Sequence, residues 1–180
     1  MSPSTSLQLE PLTQVDSLAL TDLWFAAFTD PDLARVFPNT PGVRQWLEDA
    51  NYHDITHKPF QKYIKIVDMN TMDEHGQPRI AAYAKWDLSM PEERGRRYPP
   101  WHPEMPAELC EAFFQKEEAN RKRVMGDLEH FCTSPPFPVA QYQCFLARLL
   151  KELDPDLDTV ATHPDYQRRG CGSMLVQWGV

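Results

Sequence analysis

The sequence predicts an α/β chain of the α+β kind, a mixed and mostly antiparallel sheet flanked by helices. Three observations carry that expectation. Residues 60–89 hold two runs of alternating apolar and polar residues around TMDEHGQP, the pattern of a hairpin. Stretches on both sides repeat apolar residues at helical spacing. Near the end, a strand-like run stops at Pro164 and passes through glycines into a helix, as THPDYQRRGCGSM.

The elements follow in chain order. LQLEPL alternates as a short first strand, with Leu7, Leu9 and Leu12 turned inward. TQVDSLALTDLWFAAFTD has helical spacing, and Pro31 marks its exit. A second helix is expected from Val43 to about Asp54, where Val43, Trp46, Leu47 and Ala50 share a face. FQKYIKIVDMN and RIAAYAKWDLS form the hairpin strands. The proline-rich MPEERGRRYPPWHPEMP reads as an extended loop. AELCEAFFQKEEANRKRVMGDLEHF reads as an amphipathic helix with Leu109, Phe113 and Val124 inward and a solvated face of opposite-charge pairs. VAQYQCFLARLLKEL is another apolar-faced helix, DPDLDTVATHP a strand, and SMLVQWGV the last helix.

Length and composition set limits on function. A chain of 180 residues is one domain, 1–180, with a helical and proline-rich insertion at about 90–155. A net charge of −8 argues against a nucleic-acid binder, which would show a basic face. ERGRRYPPWHP mixes arginine with aromatics, but it is short and reads as a loop packed over one side of the sheet. Trp86, Tyr98 and Trp101 are candidate walls of a pocket there. No apolar run approaches the ~18 residues of a membrane span, and the N-terminus lacks a signal-peptide pattern. The four cysteines form no CxxC pair, which points to reduced thiols and a cytoplasmic location, the nucleus remaining open. His53 and His57 stand four apart beside Asp54, without a third ligand at helical spacing. They read as histidines that complement a helix C-terminus.

The turn at 162–174 carries the chemistry. Gly170 and Gly172 permit positive φ and leave no Cβ in the way, so successive main-chain N–H groups can converge on one concave spot. Those donors open a helix, whose dipole favours an anion, and Arg168 and Arg169 add charge at the rim. No Lys-Ser/Thr follows the glycines and they are not a dinucleotide-fold triplet. Geometry alone leaves a phosphate cradle and a plain glycine turn as alternatives. Cys171, near a helix N-terminus and two arginines, is expected to have a depressed thiol pKa.

The stretch Gln167, Arg168, Arg169, Gly170, Cys171, Gly172 resembles motif A, Q/R-x-x-G-x-G/A, of the GCN5-related N-acetyltransferases, the GNAT superfamily. VATHPDY is similar to that family's fourth strand, and LWFAAFTDPDLARVFP, KPFQKYIKIVD and AAYAKWDLS resemble a fungal group of small GNAT-like proteins. The resemblance implies the GNAT acyl-CoA N-acyltransferase fold and acetyl-CoA as co-substrate. It implies that main-chain groups of Gln167 to Ser173 hold the pyrophosphate. Val160, Ala161 and Thr162 would run along the pantetheine arm, beside a bulge in the same strand. It also implies an amine acceptor, deprotonated by a carboxylate of that strand, for which Asp156 and Asp158 are the candidates.

Two departures qualify the resemblance. Its later strands have no counterpart here, so it implies a domain incomplete at its C-terminus. Residues 132–153 have little counterpart either. One explanation is a gene model with a retained intron and a lost exon. The other is a dimer in which a partner completes the sheet. A non-catalytic, truncated protein that binds acyl-CoA or nothing is the alternative function.

Overall fold

A computed structural model of the chain describes residues 6–74, 76–88, 96–125 and 156–179. Its centre is the hairpin read from the sequence. Strand β2 (Gln61–Met72) pairs antiparallel with β3 (Pro78–Asp87). The turn closes because Asp73 O accepts from Gly76 N at 3.1 Å and Asp73 Oδ1 accepts from Gln77 N at 2.8 Å. Gly76 supplies the positive φ, 73°, that such a turn requires. Strand β1 (Leu7–Pro11) pairs with β2, and β4 (Asp156–Thr162) with β3, giving an antiparallel sheet in the order β1-β2-β3-β4.

Three register shifts shape the sheet, one of them between Asp68 and Met72 of β2. The register passes from Ile66↔Ala82 to Val67↔Ile80, so Ala81 is extra and both alanines lie in one cluster. It passes from Lys85↔Thr159 to Trp86↔Leu157, which makes Asp158 the extra residue of β4.

Helices cover both faces. On the first lie α1 (Ser17–Ala27), α2 (Pro31–Val36), α3 (Pro41–His57) and α4 (Ala107–Met125). Leu20, Leu23, Val43 and Leu47 there bury against Tyr63, Tyr83 and Ala161 of the sheet. On the second face Ile64, Ile66, Ala84, Trp86 and Leu157 meet Cys171 and Leu175 of α5 (Cys171–Trp178). Trp86 therefore faces away from Tyr98 and Trp101, which belong to the first cluster, and the three do not wall one pocket.

Several element expectations need correction. Pro31 does not only end α1; it is the first residue of α2, where Asp30 Oδ1 accepts from Asp32 N (2.8 Å) and Leu33 N (3.3 Å). Helix α3 starts at Pro41, with Thr40 Oγ1 accepting from Val43 N at 3.3 Å, and runs on to His57. In α4 the inward face is Cys110, Phe113 and Phe114, while Leu109 is 38% exposed. Cys110 points beneath α2, its Sγ 3.5 Å from Val36 O, and the rotation that seats it turns Leu109 outward. The side chain of Val124, the helix read at 139–153 and the segment 132–153 lie outside the described residues. Among the described residues, no helix is long and apolar enough to cross a membrane.

Candidate functional site

The second face fixes where the glycine turn stands. Leu175 is fully buried and Cys171 nearly so, which pins α5 across the sheet with its N-terminus beside the end of β4. Between them, Pro164–Tyr166 forms a single 3-10 turn, and Tyr166 N donates to His163 O at 2.8 Å. Two left-handed residues follow, Arg168 at φ 62° and Gly170 at φ 83°. A non-glycine residue in that region costs about 1–3 kcal/mol and persists where the surroundings over-determine it.

The turn delivers the first main-chain donors of α5 to the surface. Gly170 O accepts from Met174 N at 3.0 Å, which starts α5. Residues 167–170 form a hydrogen-bonded turn, and the first N–H groups of α5, those of Cys171, Gly172 and Ser173, have no partner within the helix. Helix α5 thus starts earlier than the sequence reading placed it, with Cys171 and Gly172 in its first turn. A Cβ built on Gly170 or Gly172 meets nothing within 4 Å, so the space in front of these donors is open. Gln167, Arg168, Arg169 and Ser173 are exposed around it, and the Arg169 guanidinium lies 4.9 Å from the Tyr166 ring centre.

Strand β4 leads into this turn along an open edge. His163 N donates to Ala81 O at 2.9 Å, and Ala161 pairs with Tyr83. Antiparallel alternation then turns the N–H and C=O of Val160 and Thr162 away from β3. Among the described residues no strand pairs with that edge. Ala161 is different: its side chain is buried and its main chain faces β3.

Cys171 departs from expectation. Its thiol is 1% exposed, and burial pushes its pKa up despite the nearby Arg169. Its Sγ sits 3.8 Å from Tyr166 O, as a packed side chain in the second core. The sequence rule weighed the helix terminus and the arginines, but the inward face of α5 decides the matter.

The two candidate bases are placed unequally. Asp156 begins β4 opposite Asp87. Asp158, at the bulge, turns its carboxylate into a buried charge cluster on the first face. Lys85 Nζ lies 3.4 Å from its Oδ2 and 2.8 Å from Asp54 Oδ2, and Arg97 reaches its Oδ1. Lys58 Nζ holds the other oxygen of Asp54 at 2.7 Å, and the Lys85 ammonium lies 5.4 Å from the Tyr63 ring centre. Burial alone would raise both carboxyls; instead Arg97 and Lys85 hold Asp158 below the usual range, and Lys85 and Lys58 do so for Asp54. The cluster was not legible in sequence. Its members come from α3, β3, β4 and the loop at Arg97, and only the inward position of a lysine amid AAYAKWD hinted at it.

These depressed carboxyls make stability pH-dependent in a definite direction. A folded-state pKa below the unfolded value adds stability that is present above about 3.9 and lost as pH falls through the folded value. The urea midpoint should therefore hold from pH 7 to 5 and drop below pH 4. Asp158→Asn should be less stable at pH 7 and should flatten that drop; a drop of unchanged size would show that the carboxylate is not involved.

His53 and His57 stack at 4.6 Å, and His57 Nδ1 lies 3.2 Å from His53 O at the end of α3. Among the described residues no group of three or more His, Cys, Asp or Glu could hold a metal ion.

No protein-family model matches the sequence, and no curated protein matches it. Among solved structures, one from Corynebacterium glutamicum, described as histone acetyltransferase HPA2 and related acetyltransferase, aligns at 20% identity. The alignment covers 96% of this chain and 69% of that one, with a TM-score of 0.45.

Proposed function

We propose that the chain is a coenzyme A-dependent acyltransferase that moves acetyl from acetyl-CoA to an amine. The observation that carries this reading is the mouth of α5 at Cys171 to Ser173, reached through the left-handed Arg168 and Gly170 in a sequence that resembles motif A. Linked phosphates need several donors and a positive local field, which the first turn of α5 and the exposed Arg168 and Arg169 would supply. The outward N–H and C=O of Val160 and Thr162 are set to pair with the amide groups of a pantetheine arm, as an added strand pairs with a sheet edge. In this reading Gln167, Arg168, Arg169, Gly170, Cys171, Gly172 and Ser173 form the cradle, and Ala161 contributes packing.

A bound thioester would lie along β4, where an edge N–H can donate to its carbonyl oxygen as charge develops there. The amine must lose its proton before it attacks. Asp158 is poorly suited to take it, because its lowered pKa makes it a weak base and two cations already face it. That same engagement favours a second reading, a protein that binds acyl-CoA without transferring the acyl group.

Thiol release from acetyl-CoA over a panel of primary amines separates the two. An enzyme releases free thiol with at least one amine; a binder is stabilised thermally by acetyl-CoA and releases none. Gly170→Asp puts a side chain and a negative charge into the open space, and it should weaken acetyl-CoA by about tenfold or more. Unchanged affinity in that variant would remove the cradle from the account.

A further inference from the structure

The turn that precedes the mouth of α5 is held from two directions by one cross-strand pair. Asp68 of β2 stands opposite Arg79 of β3. Asp68 Oδ2 accepts from Tyr166 Oη at 3.1 Å and from Thr71 Oγ1 at 3.0 Å, while its Oδ1 accepts from Asn70 N at 3.0 Å. Arg79 reaches the other end of the turn. Its Nη2 lies 2.9 Å from His163 Nε2 and 3.2 Å from Asp165 Oδ2, and its guanidinium is 5.7 Å from the Tyr166 ring centre.

The contacts of the His163 ring favour one tautomer. Both ring nitrogens face donors, Arg79 at Nε2 and the Asp165 N–H, 3.2 Å from Nδ1. A neutral imidazole has one acceptor nitrogen. The guanidinium can only donate and is the closer, which favours Nε2 as acceptor over the Asp165 N–H at Nδ1. In that tautomer Nδ1 carries the proton and faces Asp165 Oδ2 at 3.5 Å. Protonating the ring would place an N–H against Arg79 and break the contact. Burial, and then Arg79, push the His163 pKa below its ordinary value, which keeps the ring neutral at pH 7.

We propose that Arg79 and Asp68 are positioning residues for the cradle: by holding His163, Asp165 and Tyr166 they set where Cys171 to Ser173 present their donors. The inference rests on the coenzyme A reading above and deepens it. It gives binding a pH dependence that a bare glycine turn would lack. The charged and titratable groups facing His163 are Arg79 from β3 and Asp165 and Tyr166 from the turn itself, with Asp68 reaching in through Tyr166. Coenzyme A binding should hold at pH 7 and weaken only when pH falls through the ring's lowered pKa, below the ordinary histidine value of about 6.5.

The test is calorimetric titration of acetyl-CoA into the wild type, Arg79→Met, Arg79→Lys and His163→Gln between pH 5.5 and 8. Ring ¹⁵N shifts of His163 are read in parallel. Arg79→Met should lose about fivefold or more in affinity at pH 7. Arg79→Lys should recover part of that loss, and His163→Gln, which keeps an acceptor that cannot titrate, should lose the acid step. In the wild type the ring should report the Nδ1–H tautomer. A wild type that binds while Arg79→Met matches it in affinity and pH profile overturns the inference and leaves the function intact. A wild type that binds no acetyl-CoA overturns the function reading and this inference with it.

Discussion

Lys85→Ala should lower the unfolding free energy by about 3–5 kcal/mol, because it removes the buried cation that two carboxylates share. The Lys85 side chain is 8% exposed and lies between Asp54 and Asp158. Removing it leaves Asp54 with Lys58 and Asp158 with Arg97, while the cavity left behind adds its own cost. The cause can be separated from cavity formation. Lys85→Met fills most of the volume, and Asp158→Asn removes one carboxylate that faces the ammonium. Urea unfolding at pH 7 should show the double variant losing less than the sum of the two single losses, because both remove the same ion pair. If the two losses simply add, the cluster is held by packing and its charges do not decide stability.

Leu175→Ala should cost about 2–5 kcal/mol, and its second effect should be on the turn. Leu175 is fully buried between α5 and the sheet, among Ile64, Ile66 and Leu157. Cys171 and Leu175 are the buried residues of α5 in that core, with Met174 packed against it, and their packing holds the helix mouth in place. A thermal midpoint lowered by about 2–4 °C per kcal/mol is the expected readout. Val176→Ala, one residue on and exposed, should stay within about 0.5 kcal/mol. Equal effects from the two would mean that α5 does not pack as described.

The hairpin was legible because both its strands alternate and its turn carries Asp73 and Gly76, which close it. The strand–turn–helix at 156–178 was legible for a similar reason: Pro164 stops the ladder and Gly170 takes the left-handed conformation. Periodicity failed where a helix could seat either of two neighbouring apolar residues. Leu109 and Cys110 are such a pair, and tertiary fit under α2 chose the cysteine. Proline failed as a stop signal at position 31 because Asp30 could cap a new helix there. The buried cluster and the Asp68–Arg79 pair stayed hidden for another reason. Their defining contacts join residues from 31 to 98 positions apart along the chain, and no local pattern encodes that pairing. Cys171 was misjudged because a helix terminus raises thiol acidity only where the thiol stays near solvent.

Titration of ¹⁵N-labelled protein with coenzyme A tests the central claim most directly. The account predicts that the amide resonances of Arg168 through Ser173 move downfield together, with Val160 and Thr162 responding as the pantetheine arm pairs with the strand edge. Inorganic pyrophosphate should move the turn amides alone. Turn amides that hold still while coenzyme A binds, or shifts gathered on the opposite face of the sheet, would contradict it.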